Sequence, residues 1–138
     1  METPAITVSD IIEEKGNAVV TTEPDTTIAE AARILSENRI GLLVVSDDVN
    51  TLAGVISERD IIKAVWQHGD KVAGMQVKDL MTRTLVGCRP ETHPQEVLDL
   101  MQKKGFRHMP VLGDGKVLGL VGVSDLYRHL LKYVSSEP

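Results

Sequence analysis

Two seven-residue stretches carry the residue types that could do chemistry: Gly54-Val55-Ile56-Ser57-Glu58-Arg59-Asp60 and Gly119-Leu120-Val121-Gly122-Val123-Ser124-Asp125. Each ends an apolar run and begins a helical one, with glycine at its first place and aspartate at its seventh. An ionised aspartate offers only acceptors, so Asp60 and Asp125, each about one turn into a helix, suit a ligand that presents hydrogen-bond donors. Ser57 stands at a helix start, where unpaired N–H groups and the helix dipole favour an anion. Glycine allows a ligand close to the backbone. The same residues also admit a structural reading. Ser57-x-x-Asp60 is a capping box with Asp in the place usual for Glu. Glu58 and Arg59 then form a solvated helix face, and Gly54 and Gly119 serve only the strand-to-helix bend.

Other chemistry finds little support. Cys88 lies near His93, but no third group orients them as a nucleophile pair and no metal-ligand spacing is present. No catalytic set can be assembled, so an enzyme is not expected, nor a catalytic cofactor. With aromatics at 3% there is no stacking platform for nucleic acid, and a net charge of −5 gives no general nucleic-acid surface. An anionic ligand must therefore be met locally. The single cysteine allows no intrachain disulfide, and the longest apolar run is far short of a membrane span. The acidic, polar first residues do not resemble a signal sequence. These features together predict a cytoplasmic protein.

The two stretches belong to a tandem repeat. Val8-Ser9-Asp10-Ile11-Ile12 answers Val77-Lys78-Asp79-Leu80-Met81, Glu23-Pro24-Asp25-Thr26 answers Arg89-Pro90-Glu91-Thr92, and residues 40–45 answer 106–111. A single copy of about 60 residues is small for an independent core, so two copies packed together form the natural unit of these 138 residues. The order along the chain is an arm (1–7), a first repeat (8–66), a linker (67–76), a second repeat (77–134) and a tail (135–138).

In the first repeat, residues 8–14 read as a short helix capped by Ser9 or Asp10, and 18–21 as a short strand. Thr27-x-x-Glu30 opens a helix running to about Asn38, with Ile28, Ala31, Ala32 and Leu35 inward. The continuous apolar run 40–45 reads as a strand covered on both faces, 46–50 as a turn and 52–56 as a second strand. A helix follows over 57–66, with Ile61, Ile62 and Val65 inward. The second repeat follows the same plan. It has a helix at 77–81, a strand at 84–87, a helix opened by Thr92-His93-Pro94 with Val97, Leu98 and Met101 buried, strands at 109–112 and 117–121 about a turn at 113–115, and a closing helix from 124. Each copy is β-α-β-β-α after a short lead-in helix, an α/β (α+β) fold.

The Gly-apolar-apolar-Ser-x-x-Asp pattern after a strand resembles the cystathionine-β-synthase (CBS) domain. So do Ile40-Gly41-Leu42-Leu43-Val44-Val45, Phe106-Arg107-His108-Met109-Pro110-Val111 and Val77-Lys78-Asp79-Leu80-Met81-Thr82. The likeness covers about residues 8–132 and is that of a stand-alone CBS pair, or Bateman module. It implies two copies joined about a pseudo-twofold axis, with ligand clefts between them that take AMP, ADP, ATP, NAD or S-adenosylmethionine. It also implies a homodimeric disc of two pairs and regulation of an unidentified partner, while the net charge and the short apolar run leave neither nucleic acid nor membrane as an expected partner. In that likeness the aspartate takes the ribose hydroxyls. Arg107 and His108 meet phosphates, alongside Ser57 and Arg59. Adenine rests near Val86 and Cys88 in one cleft, and near Thr21, between Val20 and Thr22, in the other.

The clefts are expected to be unequal. The one at Asp60 has Ser57 and faces Arg107 and His108. The one at Asp125 has Gly122 in place of the hydroxyl and faces Gly41 and Leu42 without a positive charge, with Ser124 and Arg128 as the groups able to compensate. The resulting expectation is an adenine-nucleotide sensor that signals by differential affinity between arrangements. The alternative is a ligand-free dimerisation or adaptor module.

Overall fold

The computed structural model of the chain describes residues 6–16, 19–47 and 52–135, the last three of these without their side chains. Most of the expected arm (1–5), the head of the first short strand (18), part of the turn (48–50) and the end of the tail (136–138) lie outside the described residues. The elements in order are α1 (Val8–Lys15), β1 (Thr21–Thr22), α2 (Ile28–Asn38), β2 (Leu42–Ser46), β3 (Leu52–Ser57), α3 (Glu58–His68), a 3-10 helix (Gly69–Gly74), α4 (Val77–Leu80), α5 (Pro94–Lys104), β4 (His108–Gly113), β5 (Lys116–Gly122) and α6 (Val123–Ser135). This is the mixed α+β architecture the repeat predicts. Two compact units form, one from residues 19–85 and the other from 1–18 with 86–138.

In the 19–85 unit, β1 pairs parallel with β2 (Thr22 opposite Val45), and β2 pairs antiparallel with β3 (Leu42 opposite Ser57). The apolar run makes β2 a strand covered on both faces, with Leu42, Leu43, Val44 and Val45 all buried. Ile28, Ala31 and Leu35 of α2 pack on it with Ile56, Ala64, Val72 and Val77. Thr27 caps α2, its hydroxyl accepting from the Glu30 N–H at 3.2 Å. The return bond of the expected box is replaced by an ion pair, because Arg33 takes the Glu30 carboxylate. Residues 69–74, read as connector, are a 3-10 helix that buries Val72 in this core.

In the other unit, β4 and β5 form a hairpin closed by Asp114 and Gly115. Both residues have positive φ (54° and 72°), the backbone a tight two-residue turn needs. Pro94 takes the first turn of α5 as expected, while His93 Nδ1 accepts from the Gln95 N–H at 3.0 Å. The core joins Val8 and Ile11 of α1 to Val97, Met101, Met109, Val111, Val121 and Leu126. No strand forms at 84–87. Pairing there is a single parallel bridge between Cys88 and Val111, and Pro110, which lacks an N–H to donate to residue 86, cannot extend it toward 84–87. The cap of α1 is Thr7, whose N–H donates to Asp10 Oδ2 at 2.9 Å, not Ser9 or Asp10.

Each lead-in helix docks on the unit built by the other repeat. The Val8 and Ser9 amides donate to the carbonyls of Thr92 and Pro90, both at 2.8 Å. The Val77 and Lys78 amides donate to Thr26 and Pro24 at 2.8 and 2.9 Å. The inward face expected for α3 is also corrected. Ala64 is buried and Ile61 half-buried, but Ile62 and Val65 are 68% and 53% exposed. Trp66, beside them, is 85% exposed. The apolar arc of α3 is wider than its own unit can cover, so periodicity alone places its centre wrongly.

Candidate ligand-binding site

At the β3–α3 junction the Ser57 N–H donates to Asp60 Oδ2 at 2.8 Å, and Ser57 Oγ accepts from the Asp60 N–H at 3.1 Å. The capping reading of this pair is therefore correct as local structure. It leaves Asp60 half-buried, with no ion pair to it among the described residues. A carboxylate so held has one oxygen anchored and acceptor capacity on the other, which is what a pair of ligand hydroxyls requires. Arg59 is exposed on the first turn of α3. Gly54 lies within β3, not at the bend. What approaches it is the chain's own Thr82 carbonyl, with which a side-chain methyl would collide. The Val55 and Thr82 amides and carbonyls exchange bonds of 3.0 and 2.8 Å and fix this contact. Thr21 is exposed on β1, whereas its neighbour Thr22 is buried at 7%.

The equivalent junction at β5–α6 repeats the backbone bond, with the Gly122 N–H donating to Asp125 Oδ2 at 2.8 Å. Here the carboxylate is occupied. Lys15 Nζ reaches the same Oδ2 at 2.8 Å and also donates to the Leu120 carbonyl at 2.9 Å. Arg128 donates to Oδ1 at 2.7 Å. Burial pushes the Asp125 carboxyl up, but hydrogen bonds from Lys15 and the Gly122 amide, with the charges of Lys15 and Arg128, outweigh it and hold the group below the usual carboxylate range. Alongside, Glu14 pairs with Lys132 and, at 3.2 Å, with His129 Nδ1. The Lys132 hydrogen bond is the main reason the Glu14 carboxyl is lowered. Lys15 and Glu14 went unnoticed in the sequence because their partners lie more than a hundred residues away.

Arg107 and His108 lie against the start of α6 within their own unit. The Val123 N–H donates to the Arg107 carbonyl at 3.0 Å, and His108 faces Gly122 across the hairpin. With Ser124, Tyr127, Arg128 and Lys132 they line an open groove of about 920 Å³. Arg107 and His108, expected beside Asp60, thus flank the α6 start of their own unit, together with Arg128, which was expected there, and Lys132. Val86 is half-buried. Cys88 is in the core, 7% exposed, and its backbone is also spent: its N–H donates to Pro110 at 3.0 Å and its carbonyl accepts from Leu112 at 2.7 Å. Burial pushes its thiol up to about 11, so it is neither nucleophile nor surface for a base. Among the described residues no group of His, Cys, Asp and Glu could hold a metal ion, and no helix is long and apolar enough to cross a membrane.

The repeated plan, with a strand-to-helix junction in each unit, is matched by known proteins. The CBS domain family matches the chain twice, over residues 8–67 and 77–132. The chain belongs to that family. A 17.7 kDa protein of Acidianus ambivalens is 40% identical to this CBS pair over 114 residues, 82% of this chain and 68% of its own. The mitochondrial CBS domain-containing protein CBSX3 of Arabidopsis thaliana is 30% identical over 88% of this chain, which spans 63% of that protein's length. Among solved structures, the CBS-domain containing protein ATU1752 of Agrobacterium tumefaciens superposes with a TM-score of 0.87 at 33% identity, covering 91% of this chain and 99% of its own. The CBS domain pair of protein MJ0100, solved in complex with 5′-methylthioadenosine and S-adenosylmethionine, superposes at 0.81 with 28% identity over 94% and 98%.

Proposed function

We propose that this CBS pair is a regulatory, non-enzymatic module that binds an adenosine-type ligand (AMP, ADP, ATP, NAD or S-adenosylmethionine), with Asp60 accepting from the ribose hydroxyls. The observation that carries this reading is the Asp60 carboxylate, held by Ser57 through one oxygen and without a cation of its own among the described residues. The complex of MJ0100 with two adenosine compounds supports the ligand class. Within the Asp60 unit, Ser57 at the start of α3 and Arg59 on its first turn supply donors for a phosphate, and the exposed Thr21 offers surface to the base. Signalling follows if the ligand prefers one arrangement of the copies and a partner protein reads it.

The same reading assigns homodimer formation to the apolar faces left on α3 (Ile62, Val65, Trp66) and α6 (Tyr127, Leu131), all more than half exposed. Such faces seek cover. The competing reading, a ligand-free adaptor, rests on these faces alone.

Calorimetric titration of nucleotide-stripped protein with AMP, ATP, NAD and S-adenosylmethionine separates the two. Micromolar binding of one ligand, lost in Asp60→Ala and kept in Asp125→Ala, is expected. If all four are silent while the protein still forms a dimer that Trp66→Glu dissociates, the adaptor reading replaces the sensor.

A further inference from the structure

The two lead-in helices are not equal, and the difference falls on the second aspartate. α4 has four residues and α1 has eight. The additional turn of α1 carries Glu13, Glu14 and Lys15, and Glu14 and Lys15 reach α6: Glu14 to Lys132 and His129, Lys15 to Asp125. The Lys15 side chain is a third exposed, and its ammonium is divided between Asp125 Oδ2 and the Leu120 carbonyl. In this position it provides what a ligand would: hydrogen-bond donors directed at the aspartate one turn into the helix. Glu14 anchors the same turn to α6, so Lys15 is held in place on both sides.

We infer that Lys15 is a built-in occupant of the second nucleoside site, one that keeps Asp125 from accepting a ribose and restricts this CBS pair to one ligand per chain. The inference rests on the reading of Asp60 as a ribose acceptor. It adds an asymmetry the repeat does not contain: the two carboxylates are equivalent in backbone position and in their bond to the residue three before, and differ in that one is met by a lysine from another element. Arg128 holds the other Asp125 oxygen from an exposed position, 63% accessible, and can swing aside or turn to a ligand phosphate.

The test is equilibrium dialysis of the nucleotide-stripped full chain against AMP and against S-adenosylmethionine, counting ligand per chain. Wild type and Lys15→Arg, which keeps the ammonium's role in a guanidinium, are expected to bind one equivalent. Lys15→Met is expected to take up a second, with affinity raised about tenfold or more over any residual second-site binding in wild type. Adding Asp125→Asn to Lys15→Met returns the count to one. A second equivalent in wild type, or a single one in a folded Lys15→Met, overturns the inference while leaving the Asp60 reading standing. No binding to any variant overturns the Asp60 reading and the inference with it. Unchanged far-ultraviolet circular dichroism of Lys15→Met confirms that the count refers to folded protein.

Discussion

The amide of Ser57 donates to Asp60 Oδ2 at 2.8 Å while the amide of Asp60 donates to Ser57 Oγ at 3.1 Å, so these two residues close the first turn of α3 on each other. Ser57→Ala and Asp60→Ala each remove one of two reciprocal bonds and are expected to cost about 1 kcal/mol of stability. The double variant costs less than the sum, because the residues act as one box. Urea denaturation of the three variants measures this. Ligand binding separates them: Asp60→Ala abolishes it, whereas Ser57→Ala weakens it.

Gly54 and Gly119 occupy the same place in the two repeats but face different neighbours. A methyl on Gly54 meets the Thr82 carbonyl, which is pinned by the bridge to Val55; a methyl on Gly119 lies 2.7 Å from Ile12 Cδ1, the movable end of a side chain. Gly54→Ala is expected to cost about 1–3 kcal/mol, as overpacking against fixed atoms does, and Gly119→Ala clearly less. Thermal unfolding midpoints give the order directly, and equal losses would contradict it.

The buried Cys88 thiol, pushed up to about 11 from an ordinary 9.0, makes stability fall in alkali. Below pH 9 both states keep the proton. Between pH 9 and 11 the unfolded chain loses it first, so the native state binds more protons and unfolding becomes easier as pH rises. The contribution lost is on the order of 2 kcal/mol. Cys88→Ala is expected to flatten this part of the stability profile. Native protein is expected to react slowly with a thiol reagent at pH 8 and rapidly once unfolded.

Asp125 gives the opposite dependence. Its carboxyl is held below its ordinary value of 3.8, so it stabilises the fold above that pH and the contribution disappears as pH falls through the lower folded value. Asp125→Asn is expected to lose about 1 kcal/mol at neutral pH, a modest figure because Lys15 and Arg128 are partly solvated. The gap between the variant and wild type narrows as urea unfolding is repeated from pH 6 down to pH 3. A constant gap would place the stabilisation elsewhere.

Much of the fold was legible in order along the chain because its signals are local. The apolar run of β2 and the Thr27 and Ser57 caps are decided within a few residues, and so are the Asp114-Gly115 turn and the Pro94 start of α5. The candidate site was legible to the same extent: Ser57 and Asp60 speak to each other across one turn. Even so, α3 shows how periodicity misleads, since Ile61, Ile62, Ala64 and Val65 form one broad apolar arc and only packing chose Ala64 for its centre.

The sequence by itself determined that this chain is two copies of one repeat, each with a helix, a β-hairpin and a carboxylate at the start of its last helix, because backbone preference, capping and side-chain alternation act between near neighbours. The tertiary structure alone decided which unit each lead-in helix joins, that Thr82 presses on Gly54, that Cys88 turns into the core, and that Lys15 lands on Asp125. Those contacts join residues up to 110 positions apart, and no local rule encodes a meeting that depends on the rest of the same unit having folded.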